Sequence, residues 1–339
     1  MKVITFGEIM LRLAPHGYYR FSQANDLEAT FGGGEANVAV SLANFGLHAS
    51  FVSKLPTHAI GQCAVNSLRA LGVDTTNIVR GGERVGIYYL EKGASQRPSQ
   101  VIYDRAHSSI AEATIADFNW ENIFDDADWF HFTGITPALS DSAAEITLAA
   151  CKVAKELGLT ISCDLNFRKK LWTSEKAGKV MGEIMKYVDV CIANEEDAEK
   201  VFGIKAKDTD ITSGTLNHEG YIDVAKQLTD RFGCKAVAIT LRESISASDN
   251  NWAAMLYTEG KSYFSKRYAL HIVDRVGGGD SFGAGLIYAM INHKEPQDII
   301  EFAVAASCLK HSIEGDFNRV SVDEVNALAN GDGSGRVQR

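Results

Sequence analysis

The sequence predicts an α/β protein in which helices cover both faces of a mostly parallel sheet. Short apolar runs alternate with helical patterns along most of the 339 residues. The runs are continuous, without the apolar–polar alternation of half-exposed strands, which is typical of strands buried on both faces. Two further regions contain strand patterns without helices between them. They predict a small antiparallel sheet that stands off the main domain as a lid.

The strands and helices of the main domain follow in order along the chain. Apolar runs predict core strands at 2–7, 49–55, 129–134, 160–165, 188–194 and 236–241. Helical patterns occupy residues 35–46, 140–158 and 195–203. Ser140 or Asp141 can cap the second of these helices, and Gly46, Gly158 and Gly203 stand where glycine usually ends a helix. This succession of strands and helices favours a parallel sheet.

The lid strands are expected within 12–34 and 83–106, where RVGIYYLEKG and SQVIYDRA read as short strands. The remaining core would comprise residues 1–11, 35–82 and 107–330. The polar stretch 205–219 predicts a surface insertion. Residues 331–339 are expected to form a disordered tail.

Composition excludes several classes of protein. A hydrophobic fraction of 45% and a charged fraction of 23% are those of an ordinary globular protein, and the net charge of −9 argues against a general nucleic-acid binder. No apolar run is long enough to span a membrane, and the N-terminus lacks the pattern of a signal peptide, so we expect a cytoplasmic protein. The six cysteines form no CxxC pair and are expected to be reduced thiols, mostly buried.

The stretch DRVGGGDSFGAG, residues 274–285, places Asp280 directly after three glycines. A glycine-rich turn that opens a helix presents backbone N–H groups and the positive end of the helix dipole, which together favour an anion. Asp280 is then either a helix cap or a base. Phe282 stands where a dinucleotide fingerprint needs its third glycine, and the chain has no GxxxxGK[ST] loop, so neither a Rossmann dehydrogenase nor a P-loop protein is predicted.

A second glycine cluster, FGGGEANVAVSLANFG at 31–46, also opens a helix. Together with D-x-V-G-G-G-D-S-F-x-A-G, it resembles the two signatures of the ribokinase-like, or PfkB, carbohydrate kinases. The resemblance covers residues 1–328 and implies a three-layer α/β/α fold with a β lid. GEIMLRL, YDR, DLNFRKKLW, NEEDA and EGD further resemble segments of the 2-keto-3-deoxygluconate kinases of that family.

The resemblance implies that the chain phosphorylates the terminal hydroxyl of a sugar acid, with ATP and Mg²⁺ as cofactors. Asp280 would take the proton of that hydroxyl, and Gly277, Gly278 and Gly279 would form an anion hole for the phosphoryl group. The implied substrate contacts are Gly33, Gly34, Asn37, Tyr89, Tyr103, Arg105, Arg168 and Asp316. The implied ATP contacts are Asn194, Thr240, Arg242, Gly277, Gly279 and Val304. Asn194 and Asp197 would organise Mg²⁺ through water.

Two arginines carry the expectation of an acidic substrate. A guanidinium pairs a carboxylate through two hydrogen bonds, and a neutral sugar would not need both Arg105 and Arg168 in its pocket. Tyr88 and Tyr89 are neighbours on one strand, so only one of them can face the sugar. The resemblance favours Tyr89, and an offset of one residue stays open.

Several residues depart from the family pattern. Asp197 replaces the usual glutamate, and Arg242 stands in TLRESISASDN where the family commonly has a small residue. Arg275 and Val276 replace a threonine-containing stretch, which puts a monovalent-cation site in doubt.

The alternatives are a fructokinase or another neutral-sugar kinase of this family, and a sugar-binding regulator without catalysis. We also expect a homo-oligomer, because the lid would have exposed strand edges and the family often covers it with a second subunit.

Overall fold

The structure is a computed structural model that describes residues 1–194, 196–205, 218–292, 295–333 and 335. Most of the predicted insertion at 205–219 and of the predicted tail at 331–339 lies outside these residues. The described residues contain fourteen strands and ten α-helices, and four short 3₁₀ helices join them.

The strands of the described residues lie in two sheets. Their bounds are β1 (Lys2–Phe6), β2 (Met10–Ala14), β3 (Glu28–Gly32), β4 (His48–Leu55), β5 (Ile78–Arg80), β6 (Gly86–Glu91), β7 (Gln100–Asp104), β8 (Trp129–Thr133), β9 (Thr160–Asp164), β10 (Val190–Asn194), β11 (Ala236–Ser244), β12 (Asp249–Thr258), β13 (Lys261–Phe264) and β14 (Tyr268–His271). The six predicted core strands correspond to β1, β4, β8, β9, β10 and β11.

The helices of the described residues connect these strands and pack on the larger sheet. Their bounds are α1 (Gly34–Asn44), α2 (Ala59–Arg69), α3 (Trp120–Ile123), α4 (Asp141–Glu156), α5 (Ser174–Ile184), α6 (Asp197–Phe202), α7 (His218–Phe232), α8 (Gly278–Asn292), α9 (Pro296–Lys310) and α10 (Val322–Ala329). The 3₁₀ helices are Phe21–Gln23, Ile115–Asp117, Thr136–Ala138 and Met185–Tyr187.

The large sheet has the strand order β13-β12-β11-β10-β9-β8-β1-β4-β5, with β14 also pairing with β12. All pairings from β5 across to β11 are parallel, and the pairings of β12 with its neighbours are antiparallel. One apolar cluster joins the sheet to α1, α2 and α8–α10, and a second joins it to α3–α7. Helices therefore cover both faces, as the continuous apolar runs predict; all five residues of β8 are buried.

The helix boundaries follow the local signals in the sequence. The Ser140 side chain accepts a hydrogen bond from the Ala143 amide, so Ser140, not Asp141, is the N-cap of α4. Gly46, Gly158 and Gly203 have φ values of 85°, 80° and 70°. These left-handed conformations at helix ends confirm the predicted C-terminal glycines.

The lid is a four-stranded sheet in the order β3-β2-β6-β7. The β2–β3 and β6–β7 pairings are antiparallel, as predicted, whereas the central β2–β6 pairing is parallel. Strand β2 begins at Met10, two residues inside the segment that the sequence assigned to the core. The chain between β2 and β6 runs through β3, α1, β4, α2 and β5. This long crossover, in place of a hairpin, allows the two strands to pair in parallel.

The cysteines are free thiols, and four of the six are buried: Cys151, Cys163, Cys191 and Cys234. Cys63 is exposed, contrary to the general expectation of burial. Within the described part of the chain, no helix is long and apolar enough to cross a membrane.

Candidate active site

The carboxyl ends of the parallel strands meet at one edge of the large sheet, and the lid lies across this edge. Asp164 ends β9, Asn194 ends β10, and Thr240 lies on β11 beside Asn194. A cavity of about 320 Å³ separates the sheet edge from the lid. Of the predicted site residues, its wall includes Gly33, Gly34, Asn37, Tyr103, Arg105, Arg168, Asn194, Asp197, Thr240, Arg242, Gly277, Gly279, Asp280 and Asp316. Ligands commonly bind at this edge of open α/β sheets.

Asp280 lies in the first turn of α8, at the bottom of the cavity. Its Oδ2 accepts a hydrogen bond of 2.7 Å from Asn37 Nδ2, and Asn37 belongs to α1. The Asn37 side-chain oxygen in turn accepts a bond of 3.2 Å from the Gly33 amide, which orients its NH₂ group toward Asp280. The two glycine-rich segments, 245 positions apart in the chain, thus meet at one carboxylate.

Burial raises the pKa of Asp280 to about 6, and the neighbouring Asp316 carboxylate adds to this rise. The Asn37 hydrogen bond and the positive charges of Arg168 and Lys310 act in the opposite direction. A carboxylate with a pKa near 6 is ionised at neutral pH and still basic enough to accept a proton in a transition state. Asp280 thus has a pKa at which a carboxylate can exchange a proton near neutral pH.

The three glycines before Asp280 differ in what a side chain at each position would contact. Gly277 has φ of +81°, and a Cβ there would overlap the Asp316 carbonyl oxygen. A Cβ on Gly278 would overlap the His311 ring, so Gly278 allows close packing and does not line the cavity. A Cβ on Gly279 would meet no atom within 4 Å.

The amide groups of this turn are available to an anion. The N–H of Gly278 donates to the Arg275 carbonyl at 3.3 Å. Those of Gly277, Gly279 and Asp280 have no acceptor among the residues that the structure describes. Free N–H groups at the start of a fifteen-residue helix make an anion site.

Glu35 anchors the first glycine segment to the sheet. Its buried Oε1 accepts hydrogen bonds from the Thr133 amide at 2.9 Å, the Thr133 hydroxyl at 2.7 Å and the Thr136 hydroxyl at 2.6 Å. Burial raises the pKa of Glu35 to about 7, and these donors oppose the rise. Through this contact the end of β8 fixes the start of α1, which carries Asn37.

Tyr88, and not the predicted Tyr89, lies in the cavity wall. Tyr88 is buried and donates from its hydroxyl to Asp316 at 2.6 Å. Tyr89 lies on the opposite face of β6 and packs edge-on against Phe21, with 6.5 Å between the ring centroids. The prediction for Tyr89 is therefore displaced by one residue, since alternate side chains of a strand point to opposite faces.

Asp316 joins the lid to the core. Its carboxylate accepts from Tyr88 and, at 2.8 Å, from Arg12 Nη1 of β2. Arg12 Nη2 also donates to Asp274 at 2.6 Å, so one buried guanidinium bridges two carboxylates. Asp316 lines the cavity as predicted, and both of its oxygens are already engaged by the lid.

The two predicted carboxylate-binding arginines have different surroundings. Arg105 Nε donates to Glu8 at 2.8 Å, its Nη2 donates to the same oxygen, and its guanidinium lies over the Tyr103 ring at 5.3 Å. The Arg168 guanidinium has no hydrogen-bond or ion-pair partner among the described residues. Its charge opposes the rise that burial causes in the pKa of Asp164, Asp197 and Asp280. Arg168 is therefore a cation at the cavity whose side-chain donors are not engaged by the described residues.

Asn194 and Asp197 form reciprocal hydrogen bonds at the start of α6. Asn194 Oδ1 accepts from the Asp197 amide at 3.0 Å, and Asp197 Oδ2 accepts from the Asn194 amide at 3.1 Å. Each side chain satisfies a backbone amide where β10 leads into α6, so both have a structural role as well as a position at the cavity.

The same region fits a water-mediated magnesium ion. Asp164, Asn194 and Asp197 place oxygen-bearing side chains side by side in the cavity wall, and burial with the negative charges of Asp197 and Asp280 raises the pKa of Asp164 well above its ordinary value. No three acidic, histidine or cysteine side chains of the described residues converge into a direct metal-binding group. Mg²⁺ often keeps several waters and binds through one or two carboxylates and substrate phosphates, which this arrangement allows.

The opposite end of the cavity is lined by positively charged and aromatic side chains, Arg242, Trp252, Arg275 and His311. Val304, predicted to touch the nucleotide, lies elsewhere: it is fully buried in α9 and belongs to the apolar core that α8 and α9 share. The prediction for Val304 is wrong because this face of α9 is turned toward the core.

The sequence analysis missed Glu8, Asp164 and Glu35, which line the cavity, and Lys310, which lies beside the glycine turn. Asp164 had a usable signal, because it ends a buried parallel strand, as Asn194 does. The other three are single charged residues with no local pattern, and their roles arise from contacts with distant parts of the chain.

The chain is similar to known carbohydrate kinases. Residues 1–318 match the pfkB family of carbohydrate kinases. The crystal structure of 2-dehydro-3-deoxygluconokinase from Thermotoga maritima superposes with a TM-score of 0.94 at 54% identity, covering 98% of each chain. A 2-dehydro-3-deoxygalactonokinase from Haloferax volcanii is 32% identical over 98% of each chain. A 2-dehydro-3-deoxygluconokinase from Bacillus subtilis is 25% identical over 96% of this chain and 94% of its own length.

The family match, the H. volcanii relative and the meeting of the two glycine-rich segments at Asp280 lead to one conclusion. The chain belongs to the pfkB family of carbohydrate kinases.

Proposed function

We propose that the protein transfers the γ-phosphoryl group of ATP to the terminal hydroxyl of 2-keto-3-deoxygluconate, giving 2-keto-3-deoxy-6-phosphogluconate. The observation that carries this proposal is Asp280, a carboxylate with a raised pKa beside the free amide groups of a glycine turn. The T. maritima and B. subtilis relatives are both named 2-dehydro-3-deoxygluconokinase, and 2-dehydro-3-deoxygluconate is another name for 2-keto-3-deoxygluconate. These names support the proposed substrate.

The reaction needs a base, an anion site and correct positioning. Asp280 takes the proton of the attacking hydroxyl while Asn37 holds the carboxylate in place. The amides of Gly277, Gly279 and Asp280 donate to the transferring phosphoryl group, whose charge is spread over its outer oxygens. Gly278 contributes by close packing against His311 and not by its own amide.

The substrate carboxylate binds the arginines. Arg168 supplies donors that no described residue engages, and Arg105 is held in orientation by Glu8 and by the Tyr103 ring. Gly33 and Gly34 line the cavity beside Asn37, and Tyr88 and Asp316 close its lid side.

ATP occupies the end of the cavity that Thr240, Arg242 and Arg275 line. Mg²⁺, when bound, neutralises charge on the phosphates. Asn194, Asp197 and Asp164 would hold it through water molecules, because all three place oxygen atoms in the cavity wall.

The galactonate-derived acid is the second candidate, because the H. volcanii relative carries that name at 32% identity. The two acids differ only in configuration at one carbon, which the arginine contacts do not distinguish. A neutral-sugar kinase is less well supported, because a neutral sugar offers no carboxylate to the Arg168 guanidinium, which no described residue engages.

A homo-oligomer through the lid is part of the proposal. The outer strand β7 is largely exposed, and Tyr18, Tyr19 and Ile102 are 50%, 59% and 53% exposed. An exposed strand edge with apolar side chains is stabilised by a second subunit. Light scattering at micromolar concentration tests this: a fully active monomer would contradict it. The cytoplasmic location expected from the sequence remains a prediction for cell fractionation.

The substrate is tested by measuring ATP consumption with both sugar acids, fructose and ribose. We expect the highest kcat/KM with 2-keto-3-deoxygluconate and a product phosphorylated at the terminal hydroxyl. A higher kcat/KM with fructose would overturn the proposed substrate while leaving the family assignment intact.

A further inference from the structure

Lys310, the last residue of α9, is a charged side chain in an unusual place. It is fully buried, among the largest such side chains in the described structure. Removing an ammonium group from water is costly unless its hydrogen-bonding capacity is satisfied. A lysine in this position therefore calls for a physical explanation, and the proposed mechanism does not use it.

The partners of the ammonium group are carbonyl oxygens. Lys310 Nζ donates to the Ile313 carbonyl at 3.1 Å and lies 3.5 Å from the Asp274 carbonyl. No carboxylate of the described residues lies within ion-pair distance of it. The Asp274 carboxylate is occupied by Arg12, by the Val276 amide and by the Gly315 amide.

These two carbonyls belong to the two chain segments that support the phosphoryl site. Asp274 begins the turn that leads to Gly277, and Ile313 lies in the segment that leads to Asp316. The Lys310 side chain runs behind the turn: a Cβ on Gly277 would lie 3.2 Å from Lys310 Cε. The ammonium is thus positioned between the two segments, on the buried side of the glycine turn.

We propose that Lys310 is a positioning residue that acts as a built-in cation, joining the Asp274 and Ile313 carbonyls and placing a fixed positive charge behind the anion hole. Carbonyl oxygens in this arrangement would otherwise attract a small monovalent cation. The charge favours the negative phosphoryl group in front of the turn, and the tether removes the need for a dissociable ion there. This inference rests on the proposed kinase function.

The charge of Lys310 also reaches the base. It lowers the pKa of Asp280, as Arg168 does, whereas Asp316 raises it. Asn37 donates to the same carboxylate, and Asp164 is the other acidic group that interacts with it. Removing the Lys310 charge should therefore move the acid limb of the rate profile toward higher pH, an effect that a purely structural lysine would not produce.

The first experiment uses the unchanged enzyme. We expect equal kcat in potassium, sodium and tetramethylammonium chloride at one ionic strength, because the cation is covalently attached. Stimulation by potassium of more than about fivefold would show that a dissociable ion is needed and would overturn the inference.

The second experiment compares Lys310→Met with Lys155→Met. Lys155 lies on α4, pairs with Asp189 at 3.0 Å and does not line the cavity. It therefore controls for the same substitution at a site away from the cavity. Loss of one charged hydrogen-bonding group predicts a fall in kcat of about ten- to a hundredfold for Lys310→Met, with KM values within about threefold. The Lys155 variant should keep the wild-type kcat.

A third measurement separates charge from packing. In Lys310→Ala, ammonium or potassium chloride should restore part of kcat, at least about fivefold, whereas tetramethylammonium, which is too large, should not. A wild-type kcat and an unshifted acid limb in Lys310→Met would overturn the inference and leave the kinase function standing. Should neither variant fold, the salt series on the wild-type enzyme decides. Failure of the wild-type enzyme to phosphorylate any sugar acid would instead overturn the proposed function.

Discussion

The two glycine-rich segments look alike in sequence, and both open a helix, but the structure uses their glycines differently. In the first segment Gly33 is extended, with φ of 176°, and glycine is needed there only because a Cβ would overlap the Glu8 carbonyl oxygen. In the second segment Gly277 combines a left-handed φ of +81° with a close approach to Asp316. At Gly33 only close packing requires glycine, whereas at Gly277 both close packing and the left-handed backbone conformation require it.

The carboxylates that follow the glycines differ in the same way. Glu35 is fully buried and satisfied by two threonines, so it holds elements together. Asp280 borders the cavity and accepts one hydrogen bond, from Asn37. Both carboxylates have raised pKa values, so a raised pKa alone does not identify a catalytic group. Both line the cavity, and the distinction lies in the donors: three already engage Glu35, whereas the amides beside Asp280 have no acceptor among the described residues.

The largest expected effect is the loss of the base. Asp280→Asn should lower kcat at least about a hundredfold, because a general base contributes that much, with affinities for both substrates within a few-fold. In the wild-type enzyme kcat should fall as the pH drops through about 6, where Asp280 becomes protonated. Steady-state kinetics from pH 5 to 9 measure both.

Glu35→Gln is the matched control in the other segment. It should retain kcat within about tenfold, since the Gln side-chain oxygen can accept the same three hydrogen bonds. Near-wild-type turnover in Asp280→Asn would contradict the base assignment, and equal losses in both variants would erase the distinction between the segments.

The next effect concerns Arg168, whose charge acts on Asp280, and Arg105, which pairs with Glu8. Replacing Arg168 by Met should lower kcat/KM for the sugar acid about ten- to a hundred-and-fifty-fold, as expected for about 1.5–3 kcal/mol from a charge-assisted bond, with little loss for fructose. Arg105→Met should do the same and also lower stability, because Glu8 loses its partner. The measurement is the ratio of kcat/KM values for acid and neutral sugar. An unchanged ratio in both variants would remove the acid-sugar assignment.

The glycines of the second segment should differ in stability. Gly277→Ala meets both a strained φ and an overlap with Asp316, so the free energy of unfolding should fall by at least about 1–3 kcal/mol. Gly279→Ala has open space around its Cβ and should change stability by less than about 0.5 kcal/mol. Urea unfolding measures both variants. A comparable loss in the two would mean that conformation does not distinguish these positions.

The smallest effect is a pH dependence of stability. The folded-state pKa of Glu35, about 7, lies above its ordinary value of 4.5, so the folded protein binds this proton more tightly than the unfolded chain does. The stability that this proton provides is complete below about pH 4.5 and is lost as the pH rises through about 7. The Tm of the wild type relative to Glu35→Gln should therefore fall between pH 4.5 and 7. A constant difference over this range would contradict the raised pKa.

Much of the fold follows from local sequence patterns, for physical reasons. A continuous apolar run such as WFHFT can be satisfied only where both faces of a strand are covered, and β8 has all five residues buried. A cap such as Ser140 and a terminal glycine such as Gly158 act within one helical turn. These features depend on neighbours in the chain, so the sequence alone determined them. The glycine motifs likewise predicted Asp280 as a base with an anion site beside it, and the structure brings the two motifs together at Asp280.

Tertiary structure decided what local patterns leave open. The side of β6 that faces the cavity depends on how the lid lies on the core, and this placed Tyr88 there and Tyr89 against Phe21. Val304 was misassigned because its helix face depends on the packing of α8 against α9. The pairing of Arg105 with Glu8 and the carbonyl partners of Lys310 likewise depend on the folded arrangement of whole segments. The sequence specifies which charged groups exist, but their partners depend on distances that only the folded chain sets.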